Sequence, residues 1–149
     1  MTFRSHVLIA VLALAVCACN GPAVQPAVLV LRSDTAAFTV PQRVTAGEQF
    51  TASVTVFAGG CTRGVGRADA RVAGNTAEIR LFMDRVEAES CPANLLLLRR
   101  DVRLRFDTPG EATVRVIGIR EGPPADSSGP SYTRPARLER RVRVLPASR

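Results

Sequence analysis

Lysine and tryptophan are missing from this 149-residue chain, which has one histidine (His6) and one tyrosine (Tyr132). All 20 basic residues are therefore arginine, set against 13 acidic residues for a formal net charge of +7. Without lysine there is no Schiff-base amine and no phosphate-binding lysine of a P-loop. With no tryptophan and one tyrosine there is no aromatic platform on which bases would stack, so no nucleic-acid partner is expected. Long apolar runs are also scarce. The longest, Val7–Ala18, falls short of the ~20 residues that a membrane-spanning helix needs. Hydrophobic residues at 46% and charged residues at 22% otherwise match a globular chain of one domain.

That first run has the form of an export signal, with Arg4 ahead of an apolar stretch and small residues behind it. Residues 1–18 are read as a cleaved signal peptide. Val16, Cys17, Ala18 and Cys19 (VCAC) resemble the lipobox of bacterial lipoproteins. In that family a cysteine after a small residue is diacylated on sulfur and becomes the new N-terminus. The resemblance implies lipidation of Cys19 and membrane attachment through the N-terminal lipid. Cys17 is the competing cysteine, but it follows the larger Val16. An ordinary cleaved signal containing two cysteines is the alternative. Asn20, with no aspartate at that place, points to outer-membrane rather than inner-membrane retention in a Gram-negative cell.

Processing in that way removes Cys17 and His6 and uses Cys19, leaving Cys61 and Cys91. An even pair in an oxidising compartment is expected to form a disulfide. No C-x-x-C spacing supports a redox pair instead. Histidine bases, histidine metal ligands and Ser-His-Asp devices are then excluded. Asp84, Glu87 and Glu89 are the acidic residues to weigh for calcium, but they lack a loop signature and read as a solvated loop. Gly59, Gly60, Gly64 and Gly66 imitate a phosphate loop without its lysine or helix, and are expected in a flexible hairpin loop. No cofactor or metal is expected.

Residues 19–27, with Gly21–Pro26 at their centre, read as a lipidated cysteine and flexible tether, and 28–149 as the folded domain. Within the domain the hydrophobic period is two. Phe50, Ala52, Val54 and Val56 alternate with Thr51, Ser53 and Thr55, and Val102, Leu104 and Phe106 alternate with arginines and aspartates. Phe38, Val40 and Val44 mark an edge strand broken at Pro41. Gly74-Asn75 signals a hairpin, and Thr108-Pro109-Gly110 a turn. Met83–Pro92 and Glu121–Pro135 read as loops. Leu95–Leu98 reads as a buried strand, although four apolar residues do not separate strand from helix. The expected fold is all-β, an antiparallel sandwich of about seven strands.

Phe38–Val56 (FTVPQRVTAGEQFTASVTV) and Phe106–Gly118 (FDTPGEATVRVIG) resemble the bacterial immunoglobulin-like domains. The resemblance implies an immunoglobulin-like sandwich. It says little of function, because such sandwiches host many roles.

Charge is uneven along the chain. Residues 19–94 hold seven arginines and seven acids, whereas residues 95–149 hold twelve and six. Arg103, Arg105, Arg115, Arg141 and Arg143 fall on the polar phase of three late strands. They form a candidate anion-binding face for lipopolysaccharide or an acidic polysaccharide if those strands are neighbours. The plainer reading is a solvated surface. The function expected is a non-enzymatic, lipid-anchored module of the cell envelope that interacts with an envelope partner. The alternatives are the anion-binding protein just described and a small carboxylate-dependent hydrolase.

Overall fold

The computed structural model describes residues 23–29, 37–86, 88–122 and 132–147, and every regular element in them is a strand. There are ten: β1 (Ala23–Pro26), β2 (Val28–Leu29), β3 (Phe38–Thr39), β4 (Arg43–Thr45), β5 (Gln49–Gly59), β6 (Thr62–Ala73), β7 (Thr76–Arg85), β8 (Leu95–Arg105), β9 (Gly110–Gly122) and β10 (Tyr132–Leu145).

The alternating residues of β5 become the two faces of a strand. Phe50, Ala52, Val54 and Val56 are buried while Gln49 and Thr51 face out. Gly47 and Gly74 have φ of 84° and 56°, a left-handed backbone that glycine adopts without steric cost, and they turn the chain into β5 and β7. The segment around Pro41 is not one strand. Phe38 and Thr39 pair with β5, and Arg43–Thr45 pair with β10, so the chain changes partner at the proline.

All ten strands belong to one hydrogen-bonded network of mixed direction. β8, β5 and β3 form one arm, and β6, β7, β9, β10 and β4 the other. β2 joins them by pairing with both β5 and β9. The expectation of purely antiparallel pairing is corrected here. β4 runs parallel to β10, β7 to β9 and β2 to β9. In each case the partners are not consecutive strands, and an alternation of period two is the same whichever way the neighbour runs. The strand count is higher than seven, in part because Ala23–Pro26, read as tether, pairs with β7 from Ala23↔Arg85 to Pro26↔Phe82. Strands also invade both expected loops: β7 continues to Arg85, β9 to Gly122, and β10 starts at Tyr132.

The core draws on both arms. Val54 and Val56 of β5, Val102 and Leu104 of β8, Ile79 and Leu81 of β7, and Val114 and Val116 of β9 are all buried. Each such side chain contributes ~1.5–3 kcal/mol by leaving water. Phe50 stacks on Phe106 with ring centroids 5.6 Å apart, which fixes the start of β5 against the end of β8.

The expected burial of Leu95–Leu98 is also corrected. The segment is strand, but Leu95, Leu96 and Leu97 are exposed and only Leu98 packs against the core. These residues pair with Gly59, Ala58 and Phe57 at the end of β5, so their backbone is laddered while their side chains stay in water.

Register sorts the strand ends into two sets. Ala23, Gly59, Cys61, Arg85, Leu95 and the Gly122↔Tyr132 pair lie at one end. The Gly47 turn, the Gly74-Asn75 turn and Gly110 lie at the other.

Candidate functional site

Cys61 follows β5 in the turn to β6, and Cys91 lies between β7 and β8. The two form a disulfide with Cα atoms 5.1 Å apart, across 30 residues of sequence. Beside it, Val86 N–H donates to the Cys61 carbonyl at 2.8 Å. Gly60 faces the backbone of Pro92 so closely that a Cβ there would overlap the Pro92 carbonyl. The staple therefore needs both the cysteine pair and a residue without a side chain next to it. The other glycines of this region are not in a loop. Gly64 and Gly66 lie within β6 where its register with β7 slips, and Gly66 packs under the Asp84 carboxylate.

A cavity of about 350 Å³ opens at this end, lined by Pro26, Val28, Phe57, Met83, Ile119 and the disulfide among others. It holds no pair of carboxylates. Asp69 and Glu78 do share a depression on β6–β7, but Arg67 meets Asp69 at 3.0 Å and Arg80 meets Glu78 at 2.8 Å. Among the described residues no group of three or more His, Cys, Asp or Glu side chains is placed to hold a metal ion. Asp84 and Glu89 are described, while Glu87 lies outside the described residues.

The five arginines on the late strands divide between the arms. Arg103 and Arg105 project from β8 opposite Thr51 and Gln49 of β5. Arg115, Arg141 and Arg143 project from β9 and β10, which are adjacent, so these three do share a surface. Arg105 meets Asp107 at 3.0 Å, and Arg115 meets Glu139 at 2.6 Å. Arg141 and Arg143 make no ion pair among the described residues, and Arg143 stands beside Arg43 in the parallel β4–β10 register. A single basic face across all five is not formed. The smaller cluster Arg43, Arg141 and Arg143 is.

The register also explains two polar side chains, of which the sequence marked only Arg140, as a charge in an apolar phase. Ser53 is buried on the polar phase of β5, where its hydroxyl donates to Asp101 Oδ1 at 2.5 Å and accepts from Arg99 Nη2 at 2.7 Å. The Ser53 hydrogen bond, followed by the Arg99 contacts, holds the Asp101 carboxyl below the ordinary aspartate value. Arg140 stands opposite Val114 on the core phase of β10, yet it is exposed, with its guanidinium 5.8 Å from the Phe38 ring centroid. Its stem covers the edge of the core there, which accounts for a charge in an apolar position.

Cys19 and the signal segment lie outside the described residues. Among the described residues no helix is long and apolar enough to cross a membrane. Comparison with known proteins finds no matching family model, no matching curated protein and no matching solved structure.

Proposed function

We propose that this chain is a non-enzymatic, lipid-anchored module of the bacterial cell envelope, held at the outer membrane by a diacylated Cys19. The observation that carries the reading is the apolar run Val7–Ala18 ending directly at Cys19, with the first paired strand beginning at Ala23. Two acyl chains on one residue anchor a domain stably, because each buried methylene contributes about 0.8 kcal/mol. The Cys61–Cys91 disulfide supports an exported chain. The absence of lysine, and of histidine beyond His6, together with arginine contacts on the paired acids, supports a non-catalytic role. An immunoglobulin-like outline is supported by two strand arms around one core and by the early β4 joining the last strand β10 in parallel.

The test is metabolic labelling with palmitate followed by mass measurement of the mature N-terminus. Label and diacyl mass on Cys19, both lost in Cys19→Ala, are the expected result. An unlabelled chain beginning elsewhere would refute the anchor.

A second reading is favoured by the Arg43, Arg141 and Arg143 cluster. It presents three guanidinium groups without ion pairs among the described residues, suited to the phosphates of lipopolysaccharide or the carboxylates of an acidic polysaccharide. Binding to such a polymer would weaken steeply with salt and be lost in Arg141→Ala with Arg143→Ala, whereas salt-independent binding would remove the reading.

A further inference from the structure

The large apolar side chains left in water collect at one end of the fold. Of the six exposed among the described residues, Val24, Leu95, Leu96 and Leu97 are all at the disulfide end. The three leucines are 68%, 45% and 63% exposed. Because successive residues of a strand point to opposite faces, the tip of β8 is apolar on both of its sides. The rest of that strand is different. Arg99, Arg100, Asp101, Arg103 and Arg105 load its free edge with charge, which blocks pairing with a strand of another molecule. The tip carries no such guard. Around it, Arg63 and Arg85 are exposed and make no ion pair among the described residues.

The same end is where the chain enters the fold. Ala23 pairs with Arg85, and Cys19 is four residues before it, within about 14 Å of extended chain. An acyl group on Cys19 would bring this end, and not the opposite one, against the bilayer.

We propose that the disulfide end is a membrane-contacting surface. The Leu95–Leu97 tip and Val24 enter the headgroup layer of an anionic phospholipid bilayer, and Arg63 and Arg85 meet its phosphates. This deepens the lipid-anchor reading and rests on it. The acyl chains supply attachment, and the tip supplies a second contact that fixes the orientation of the domain, since attachment at one residue leaves rotation about it unconstrained.

The lack of tryptophan makes the test direct, because Leu97→Trp creates the single indole of the chain. Thr51→Trp, toward the other end of the β5–β8 pair, is the control, and Leu95→Trp serves if Leu97→Trp fails to give the wild-type circular dichroism spectrum. The full chain is expressed with its own signal, and the mature protein is reconstituted into phosphatidylglycerol–phosphatidylcholine vesicles with brominated acyl chains. The expected result is a blue-shifted emission, quenched by the brominated lipid, for Leu97→Trp and not for Thr51→Trp. Palmitate labelling of the same preparations reads the anchor separately. A labelled Leu97→Trp chain whose indole emission stays red and unquenched overturns the contact while leaving the anchor intact. A blue-shifted emission protected from acrylamide but untouched by brominated lipid also overturns it, because the tip is then covered by a second copy of the chain. Quenching without palmitate label upholds the contact and removes the anchor.

Discussion

Ser53 and Asp101 are direct cross-strand partners in the β5–β8 ladder, and the serine hydroxyl reaches the aspartate at 2.5 Å. Arg99 closes the group by contacting both, with Nη2 2.7 Å from Ser53 Oγ and Nε 3.1 Å from Asp101 Oδ1. The ionised carboxylate is the form that both neighbours favour. Its pKa is lowered in the folded state, so its stabilising contribution is complete above the ordinary aspartate value of 3.8 and is lost as pH falls through the lower folded value. Asp101→Asn is expected to lower the melting temperature at neutral pH, with the gap to wild type closing as the medium is taken below 3.8. Thermal melts across that range check it. A gap independent of pH would show that the charge contributes nothing.

Reduction of the Cys61–Cys91 bond, or Cys61→Ser with Cys91→Ser, is expected to cost roughly 3–4 kcal/mol through the regained freedom of the unfolded chain. Urea unfolding of wild type with and without reductant measures the difference directly. An unchanged midpoint would mean that the staple closes no loop of consequence.

Gly60→Ala places a methyl against the Pro92 carbonyl next to that staple, and neither backbone is free to withdraw while the bond is intact. A loss of about 1–3 kcal/mol is expected, of the size seen when packed interiors are overfilled. The loss should shrink in the reduced protein, where the Cys91 segment is released, so paired melts under both conditions test the explanation as well as the size.

Phe106→Ala removes one ring of the Phe50–Phe106 stack at a fully buried position. A loss of about 3–5 kcal/mol is expected from the cavity and the lost transfer energy. Phe57→Ala, at a half-buried site, should cost clearly less, and denaturant midpoints of the two variants rank them.

The strands with one apolar face were legible in the chain at β5 and at β8 from Val102 onward, and the hairpin of β6 and β7 was legible from its Gly74-Asn75 turn. Pairing direction was not, because β7 lies on β9 while β8, between them in sequence, lies on β5. No local pattern encodes that exchange of partners. Ala23–Pro26 was hidden by the prolines in and before it, and Pro26 is tolerated because this short strand pairs along one edge only. The leucines at 95–97 misled for a simpler reason. An apolar run signals burial only when something packs over its faces, and pairing with Phe57–Gly59 of β5 satisfies the backbone of these leucines without covering their side chains. In the candidate site, the cysteine pair could be read by counting, whereas the Arg99–Ser53–Asp101 group depends on register, which places residues 46 and 48 positions apart side by side.

The separation of the strand ends sets how far the molecule extends. β9 runs the full height of the domain in 13 residues, about 40 Å at the usual rise per residue. Were Cys19 fixed in a leaflet, as proposed, the hairpin tips at Gly47, Gly74 and Gly110 would stand at that altitude, as would Leu145 at the end of β10. Anything docking from the aqueous side would then encounter those tips first, clear of the lipid and of the cystine bridge beneath it.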